Sequence, residues 1–267
     1  MPEKIPTNKI KPEEKKLRKE VELEEVAELE EPIKKIIEKI RDRIESGEYG
    51  LIIGDDASGR IPTLILGNFI KNISEKKGLD KPNIIFIPGK LNYFFHRRRS
   101  RELDKYISEY GATKERRILV VTDTIQSGGS LETLVKLLKK SGHSCDIATI
   151  GVEFPDDYEK KRFENLGTTE IISGEYQKGD SYFYPNTPGV YKSESKGVYK
   201  KPRYKVSKTL KSAALPEGIN PEDVNPESIN TRSSRQEIQE SINKSRKDTS
   251  VVVDHLIDWY ESQKQEK

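Results

Sequence analysis

Between residues 49 and 173, five short apolar runs recur, and segments with helical spacing separate most of them. The runs are "YGLIIG", "NIIFIPG", "RILVVT", "SCDIATIGV" and "TEIIS". Each is apolar along its whole length rather than at every second position. A strand of that kind must be covered on both faces, which is the condition of a parallel sheet sandwiched between helices. The intervening "RIPTLILGNFIKNISEKKG" and "SLETLVKLLKKSG" read as helices, and "DDYEKKRFENLG" reads as a shorter one. "KLNYFFHRRRSRELDKYISEYG" is a charged connection. The pattern predicts an α/β fold with a parallel-sheet core. In such sheets, ligands bind at the carboxyl ends of the strands.

The composition shows where this core lies. Of 267 residues, only 33% are hydrophobic and 35% are charged, whereas a compact domain carries about 45–50% apolar residues with Gly counted. The apolar residues are dense from about 33 to 172, so the rest is read as polar extension. The sequence divides into a charged N-terminal extension (1–30), an α/β core (31–175), a Tyr-rich excursion (176–205), a linker (206–232) and a C-terminal helical segment (233–267). Val26, Leu29, Ile33, Ile36, Ile40 and Ile44 recur at steps of three and four, which predicts one helix with a single apolar stripe. Pro32 suits its first turn and Gly47 its end.

Several function classes are disfavoured. The net charge of +3 is small for this length and does not by itself argue for nucleic acid. Cys145 is the only cysteine, so no intrachain disulfide forms. His96, His143 and His255 are far apart and lack zinc-ligand spacing. No apolar run approaches the ~20 residues of a membrane helix, and "MPEKIPTNKIKPEEKK" lacks the apolar region of a signal peptide. The expectation is a soluble protein of a reducing, cytoplasmic setting.

The third run ends in "ILVVTDTIQSGGS", residues 118–130. Gly128 and Gly129 permit a tight turn and close approach of a ligand to the backbone. The helix starting near Ser130 offers unpaired N–H groups and a partial positive charge. Together they suit a phosphate, and Ser127 and Ser130 add hydroxyl donors. Asp123 would repel that phosphate, but it can accept hydrogen bonds from sugar hydroxyls one ring away. The layout points to a sugar phosphate.

This stretch resembles the phosphoribosyl-diphosphate (PRPP) signature of the type I phosphoribosyltransferases. The resemblance covers thirteen residues, and the strand–helix order over about 33–175 is compatible with that family's core; the two ends lie outside it. It implies that Thr122, Asp123 and Thr124 meet the ribose and that Gln126, Ser127, Gly128, Gly129 and Ser130 wrap the 5-phosphate. Two positions depart from the family. Thr122 stands where an acidic residue is usual, which removes one charged ribose contact. Gln126 stands where some members carry an acid acting on the acceptor base, and an amide is no general base at neutral pH. Gln126 therefore points away from a purine salvage enzyme more than from the family.

Two further loops acquire roles from the same resemblance. "GDDASGRIP" imitates a Walker A loop in its glycine spacing, but Arg60 replaces the lysine and Ile61 the hydroxyl that holds magnesium. In the resembled family this loop receives pyrophosphate, which makes Ser58, Gly59 and Arg60 the candidate contacts. Asp55 and Asp56 are open to two readings: bonds to neighbouring amides, or, for Asp56 especially, a water-mediated contact with the magnesium of the PRPP complex. "KLNYFFHRRRSRE" reads either as a solvated basic face or as the family's mobile loop. In the second reading Arg97, Arg98, Arg99 or Arg101 clamps the leaving pyrophosphate, with Arg98 and Arg99 as the catalytic candidates beside Asp123. The Tyr-rich stretch, with Tyr176, Tyr182, Phe183 and Tyr184, is a packed excursion or a hood that stacks on a base. The helix around Val252, Leu256, Ile257 and Trp259 covers the core or a partner subunit.

The expected function is magnesium-dependent transfer of phosphoribosyl from PRPP to a nitrogen acceptor by a homodimer. A non-catalytic PRPP or nucleotide sensor, with RNA as a possible but less favoured partner, is the rival reading. A scaffold assembled through its helical ends is the third.

Overall fold

The computed structural model describes residues 20–55, 59–87, 99–125, 129–154, 170–178, 190–193, 197–200 and 235–265. In chain order its elements are α1 (Glu24–Ala27), α2 (Glu30–Lys39), α3 (Arg41–Glu45), β1 (Tyr49–Asp55), α4 (Arg60–Lys76), β2 (Asn83–Ile87), α5 (Arg99–Glu109), β3 (Arg117–Ile125), α6 (Gly129–Lys140), β4 (Cys145–Phe154), β5 (Ile171–Lys178), β6 (Val190–Ser193), β7 (Gly197–Lys200) and α7 (Arg235–Gln265).

Strands β1 to β5 form one sheet in the order β2-β1-β3-β4-β5, and every neighbouring pair is parallel. The predicted α/β class and parallel sheet are both present. All five apolar runs are strands because both faces of the sheet are covered. On one face Ile52, Leu119, Val121 and Ile172 pack with residues of α2, α4 and α7, among them Ile33, Phe69 and Leu256. On the other, Leu51, Ile53, Val120 and Ile147 pack with Ile107 of α5 and Leu138 of α6.

The stripe predicted as one helix is broken into α1, α2 and α3. Leu29 stands before α2, and Ile40, at φ −109° and ψ 17°, separates α2 from α3. The stripe itself survives, since Val26, Leu29, Ile33, Ile36, Ile40 and Ile44 are all at most 1% exposed. Periodicity fixes which side chains face the core and is silent on backbone continuity, because tertiary packing supplies most helical stability. Gly47 does end α3. Its φ is +70°, its N–H donates to the Ile44 carbonyl at 3.2 Å, and the N–H of Glu48 donates to the Arg43 carbonyl at 3.0 Å. This is a Schellman closure, which needs the left-handed residue.

The closing segment is a single helix, α7, lying on α4 and α1. Val252 and Leu256 are buried and Trp259 is half-buried. Asp248 of α7 is fully buried, and its carboxylate accepts the N–H groups of Glu22 (3.2 Å) and Leu23 (2.8 Å). The end of the chain thereby fastens the entry to α1. Within the Tyr-rich stretch, β6 and β7 form an antiparallel hairpin beside α7. The two copies of "GVYK" supply it, with Tyr191 opposite Tyr199 and each Val opposite a Lys. Strand β5 continues to Lys178, three residues past the expected end of the core pattern at 175. The short helix expected at "DDYEKKRFENLG" and the linker at 206–232 fall outside the described residues.

Candidate functional site

The strand order sets the location. From β1 the chain leaves through α4 to β2 on one side; from β3 it leaves through α6 to β4 on the other. Helices α4 and α6 lie on opposite faces of the sheet. Two adjacent strands whose following helices diverge in this way leave a crevice at their carboxyl ends, the topological switch point where open α/β sheets bind ligands. Strand β1 ends at Asp55 and β3 at Ile125, so the two strand tips singled out in the sequence are the ones that flank this switch point.

On the β3 side, Thr122 and Asp123 are 6% and 4% exposed. Thr122 Oγ1 lies 3.5 Å from Asp123 Oδ1. The main chain is held from β4, where Thr149 Oγ1 donates to the Asp123 carbonyl at 3.1 Å. Strand β3 keeps one register with β4 from Ile118 opposite Cys145 to Ile125 opposite Val152, so Asp123 stands on regular strand near its carboxyl end. Helix α6 then begins at Gly129, one residue before the expected start near Ser130. Its first turn carries Glu132, which is 8% exposed and ion-paired to Lys136. Nothing in the sequence distinguishes Glu132, since an acid in a first turn is an ordinary complement to the helix dipole.

On the β1 side, Gly59 precedes the first residue of α4. Its carbonyl accepts the Thr63 N–H at 2.9 Å and Thr63 Oγ1 at 2.5 Å. The intrahelical ladder therefore starts at Thr63, after Pro62, which has no N–H to offer. Arg60 is the first helical residue, and its guanidinium lies over the Phe86 ring at 4.5 Å. Gly54 pairs with Phe86 in the sheet register. A Cβ on Gly54 would come within 2.5 Å of Thr63 Oγ1 and 2.8 Å of the Phe86 ring. Gly54 entered the sequence analysis only through the glycine spacing of the rejected Walker A reading, and Phe86 and Thr149 are unmarked in the local pattern, since their roles come from pairing between strands.

Of the residues singled out from the sequence, Thr122, Asp123, Thr124, Gly59, Arg60, Gly129 and Ser130 are placed at the two strand tips and helix starts. Arg99 opens α5. Asp56, Ser58, Arg98, Gln126, Ser127 and Gly128 lie outside the described residues. No group of three or more His, Cys, Asp or Glu able to hold a metal occurs among the described residues, and none of their helices is long and apolar enough to cross a membrane.

The opposite end of the sheet is polar for a different reason. Asp146, fully buried at the start of β4, accepts from Arg117 Nη2 (2.8 Å), Arg117 Nε (2.9 Å), Arg43 Nη1 (3.0 Å) and Tyr49 Oη (3.1 Å). Burial, together with the Asp146 carboxylate, pushes the Tyr49 phenol well above its ordinary range. Every group in this cluster is engaged within the fold, at the amino ends of the strands, so we read it as structural.

No family model matches the chain. A curated relative, an adenine phosphoribosyltransferase of Shewanella piezotolerans, is 33% identical over 96 residues, covering 32% of this chain and 49% of the relative. The chain thus spans about half the length of that relative. Among solved structures, a purine phosphoribosyltransferase from Pyrococcus horikoshii is 21% identical, with 47% of this chain and 73% of that chain covered and a TM-score of 0.32. A hypoxanthine-guanine phosphoribosyltransferase from Schistosoma mansoni, solved with IMP, is 14% identical, with 55% and 65% covered and a TM-score of 0.32.

Proposed function

We propose that the crevice between β1 and β3 binds PRPP and that the protein transfers its phosphoribosyl group to a nitrogen acceptor, releasing pyrophosphate. The observation that carries this reading is the placement of "ILVVTDTIQSGGS". Its acidic residue stands near the tip of a strand at the switch point of the sheet, and Gly129 opens the helix that follows. The similarity of about a third of the chain to an adenine phosphoribosyltransferase supports it and makes adenine the first acceptor to try.

In this reading Asp123 accepts hydrogen bonds from the ribose hydroxyls and the amides around 126–130 hold the 5-phosphate. The ribose is then fixed while its bond to pyrophosphate breaks. Both electrons of that bond leave with pyrophosphate, and positive charge builds at the anomeric carbon. The acceptor nitrogen supplies the lone pair for the new bond, and its proton passes to water or to the released pyrophosphate, Gln126 being an amide. Holding both reactants in place is the main catalytic resource. The start of α4 with Gly59 and Arg60, together with Ser58, receives the pyrophosphate, and arginines 98 and 99 close over it. Magnesium arrives as part of the PRPP complex, as substrate. Asp56 is its proposed protein-side neighbour, and no step is assigned to the ion. A homodimer would place one subunit's arginine loop against the other's site.

One observation favours the rival reading of a non-catalytic PRPP sensor: a buried threonine, Thr122, occupies the position of the family's first acid. A pyrophosphate-release assay separates the two. With PRPP, magnesium and adenine, followed by other nitrogen bases, the wild-type protein turns over. The Asp123→Ala/Ser127→Ala double variant, with its circular dichroism unchanged, loses about a hundredfold or more, given roughly 1.5–3 kcal/mol per hydrogen bond to a charged group. Full turnover in the double variant would overturn the site. Binding of PRPP without turnover on any base would select the sensor.

A further inference from the structure

We infer that the outer edge of β2, with the flank of α5 beside it, is the surface through which two copies of this chain pair. Among the described residues the sheet ends at β2, which pairs with β1 on one side only. An edge strand offers a row of unpaired N–H and C=O groups, and natural proteins blunt such edges with charge, Pro or a bulge. The opposite edge, β5, is blunted. It carries Glu175 and Lys178, and α2 lies against it, with Lys39 Nζ donating to the Ser173 carbonyl at 2.7 Å. Strand β2 reads Asn83-Ile84-Ile85-Phe86-Ile87, with no charge and no Pro, and it keeps one register with β1 throughout. Pro82 and Pro88 bound it, so edge pairing is confined to these five residues. Asn83 is exposed, and Ile84 and Phe86 are only half-buried.

The flank of α5 beside this edge is aromatic. Leu103 and Ile107 of α5 pack on the sheet. Ser100 and Asp104 meet the connection from α6 to β4: the Ser100 carbonyl accepts from Ser141 Oγ at 2.9 Å, and Asp104 Oδ1 lies 2.7 Å from His143 Nε2. At about 100° per residue, Tyr106 and Tyr110 fall on the other flank, away from α6 and toward β2. The Tyr110 carbonyl accepts from Asn83 Nδ2 of β2 at 2.9 Å. Among the described residues these two are the large apolar side chains left exposed, at 39% and 42%. Their rings lie 5.1 Å apart. They form one patch, whereas exposed apolar residues scattered singly need no partner.

A second copy completes both parts at once. Two β2 strands related by a two-fold axis perpendicular to the sheet run antiparallel, as an isologous contact requires, and join the two sheets into one. The same axis sets the two α5 helices side by side on one face, antiparallel, with the tyrosines between them. Lys105 and Glu109 are exposed, opposite in charge and one turn apart beside the tyrosines. An antiparallel copy brings Lys105 toward Glu109 of the partner subunit, and the reverse, so the face complements its own charge. A five-residue edge and one helix flank make a small interface, so the pairing depends on protein concentration.

The test is sedimentation equilibrium of the full-length protein from micromolar to millimolar concentration, with hydrogen exchange of the β2 amides. Wild type dimerises. Tyr106→Ser/Tyr110→Ser, with its circular dichroism unchanged, dimerises about tenfold or more weakly, as expected for tyrosines anchoring an interface. Lys105→Glu weakens dimerisation about two- to tenfold, the range of two exposed ion pairs, and Lys105→Glu/Glu109→Lys restores it. The outward β2 amides exchange more slowly in wild type than in the tyrosine variant at the same concentration. If the tyrosine variant does not fold, the charge variants carry the test, and dilution of wild type supplies the dissociated state for exchange. A wild type that stays monomeric, or a dimer that neither substitution weakens, overturns the inference. Failure of the charge swap to restore pairing also overturns it, as do β2 amides that exchange equally fast in the dimer and the dissociated protein.

Discussion

Asp146→Ala is expected to lower the stability of the protein by about 3 kcal/mol, near the lower end of what removing one partner from a buried ion pair costs. The carboxylate is fully buried and accepts four donors, three from Arg43 and Arg117 and one from Tyr49. Without it, two guanidiniums face each other across a site that held their counter-charge, and the buried Tyr49 hydroxyl loses its acceptor. The arginine side chains are 30% and 27% exposed, so water recovers part of the loss; this places the effect at the lower end. Asp146→Asn keeps the shape but removes the charge and turns an amide N–H₂ toward an arginine, so an intermediate loss is expected. Urea unfolding followed through Trp259, the only tryptophan, measures both. At about 1–3 kcal/mol per molar urea, the alanine variant unfolds at least one molar earlier with an unchanged slope. A midpoint within about 0.2 M of wild type would show that the cluster holds nothing together.

Gly174→Ala is the second large effect. A Cβ there would stand 2.4 Å from the Pro32 carbonyl oxygen and 2.7 Å from Pro32 Cβ. The obstacle is backbone at the first turn of α2, and it has little room to move. Ile33 and Ile36 just beyond it are buried, and Lys39 at the far end of α2 donates to the Ser173 carbonyl at 2.7 Å. Overpacking of this kind costs about 1–3 kcal/mol, and the backbone contact places Gly174→Ala at 2 kcal/mol or more. The sign is informative. Where the backbone conformation and space allow, Gly→Ala stabilises by about 0.4–1 kcal/mol. An alanine variant as stable as wild type in the same urea titration would mean that α2 does not rest on β5 in this way.

The sequence made the sheet legible because both faces are covered. Strands such as Ile118–Val121 carry no polar alternation and can only be interior. The stripe from Val26 to Ile44 identified the buried side chains correctly and missed the breaks near Leu29 and at Ile40, since spacing records faces and not continuity. The tips of β1 and β3 were legible because Asp123 and the glycines change residue type abruptly after an apolar run. Their surroundings were not. Phe86 reaches Arg60, and Gly54 makes room for it, only because β2 pairs beside β1. Asp248 caps residues 22 and 23 from more than two hundred positions away. "GVYK" occurs twice in the sequence, but the pairing of the two copies with Tyr191 opposite Tyr199 is set by the register between β6 and β7. In each case the missing information is a contact between elements, which no local window contains.

The central question is whether the tip of β3 holds a ribose phosphate. Calorimetric titration of PRPP with magnesium into the wild-type protein and into Asp123→Ala tests this directly. Binding by the wild type, weakened about ten- to a hundredfold by the substitution as loss of a hydrogen bond to a charged carboxylate predicts, is the expected result. Equal affinity in the two proteins, or no binding by the wild type, would contradict it.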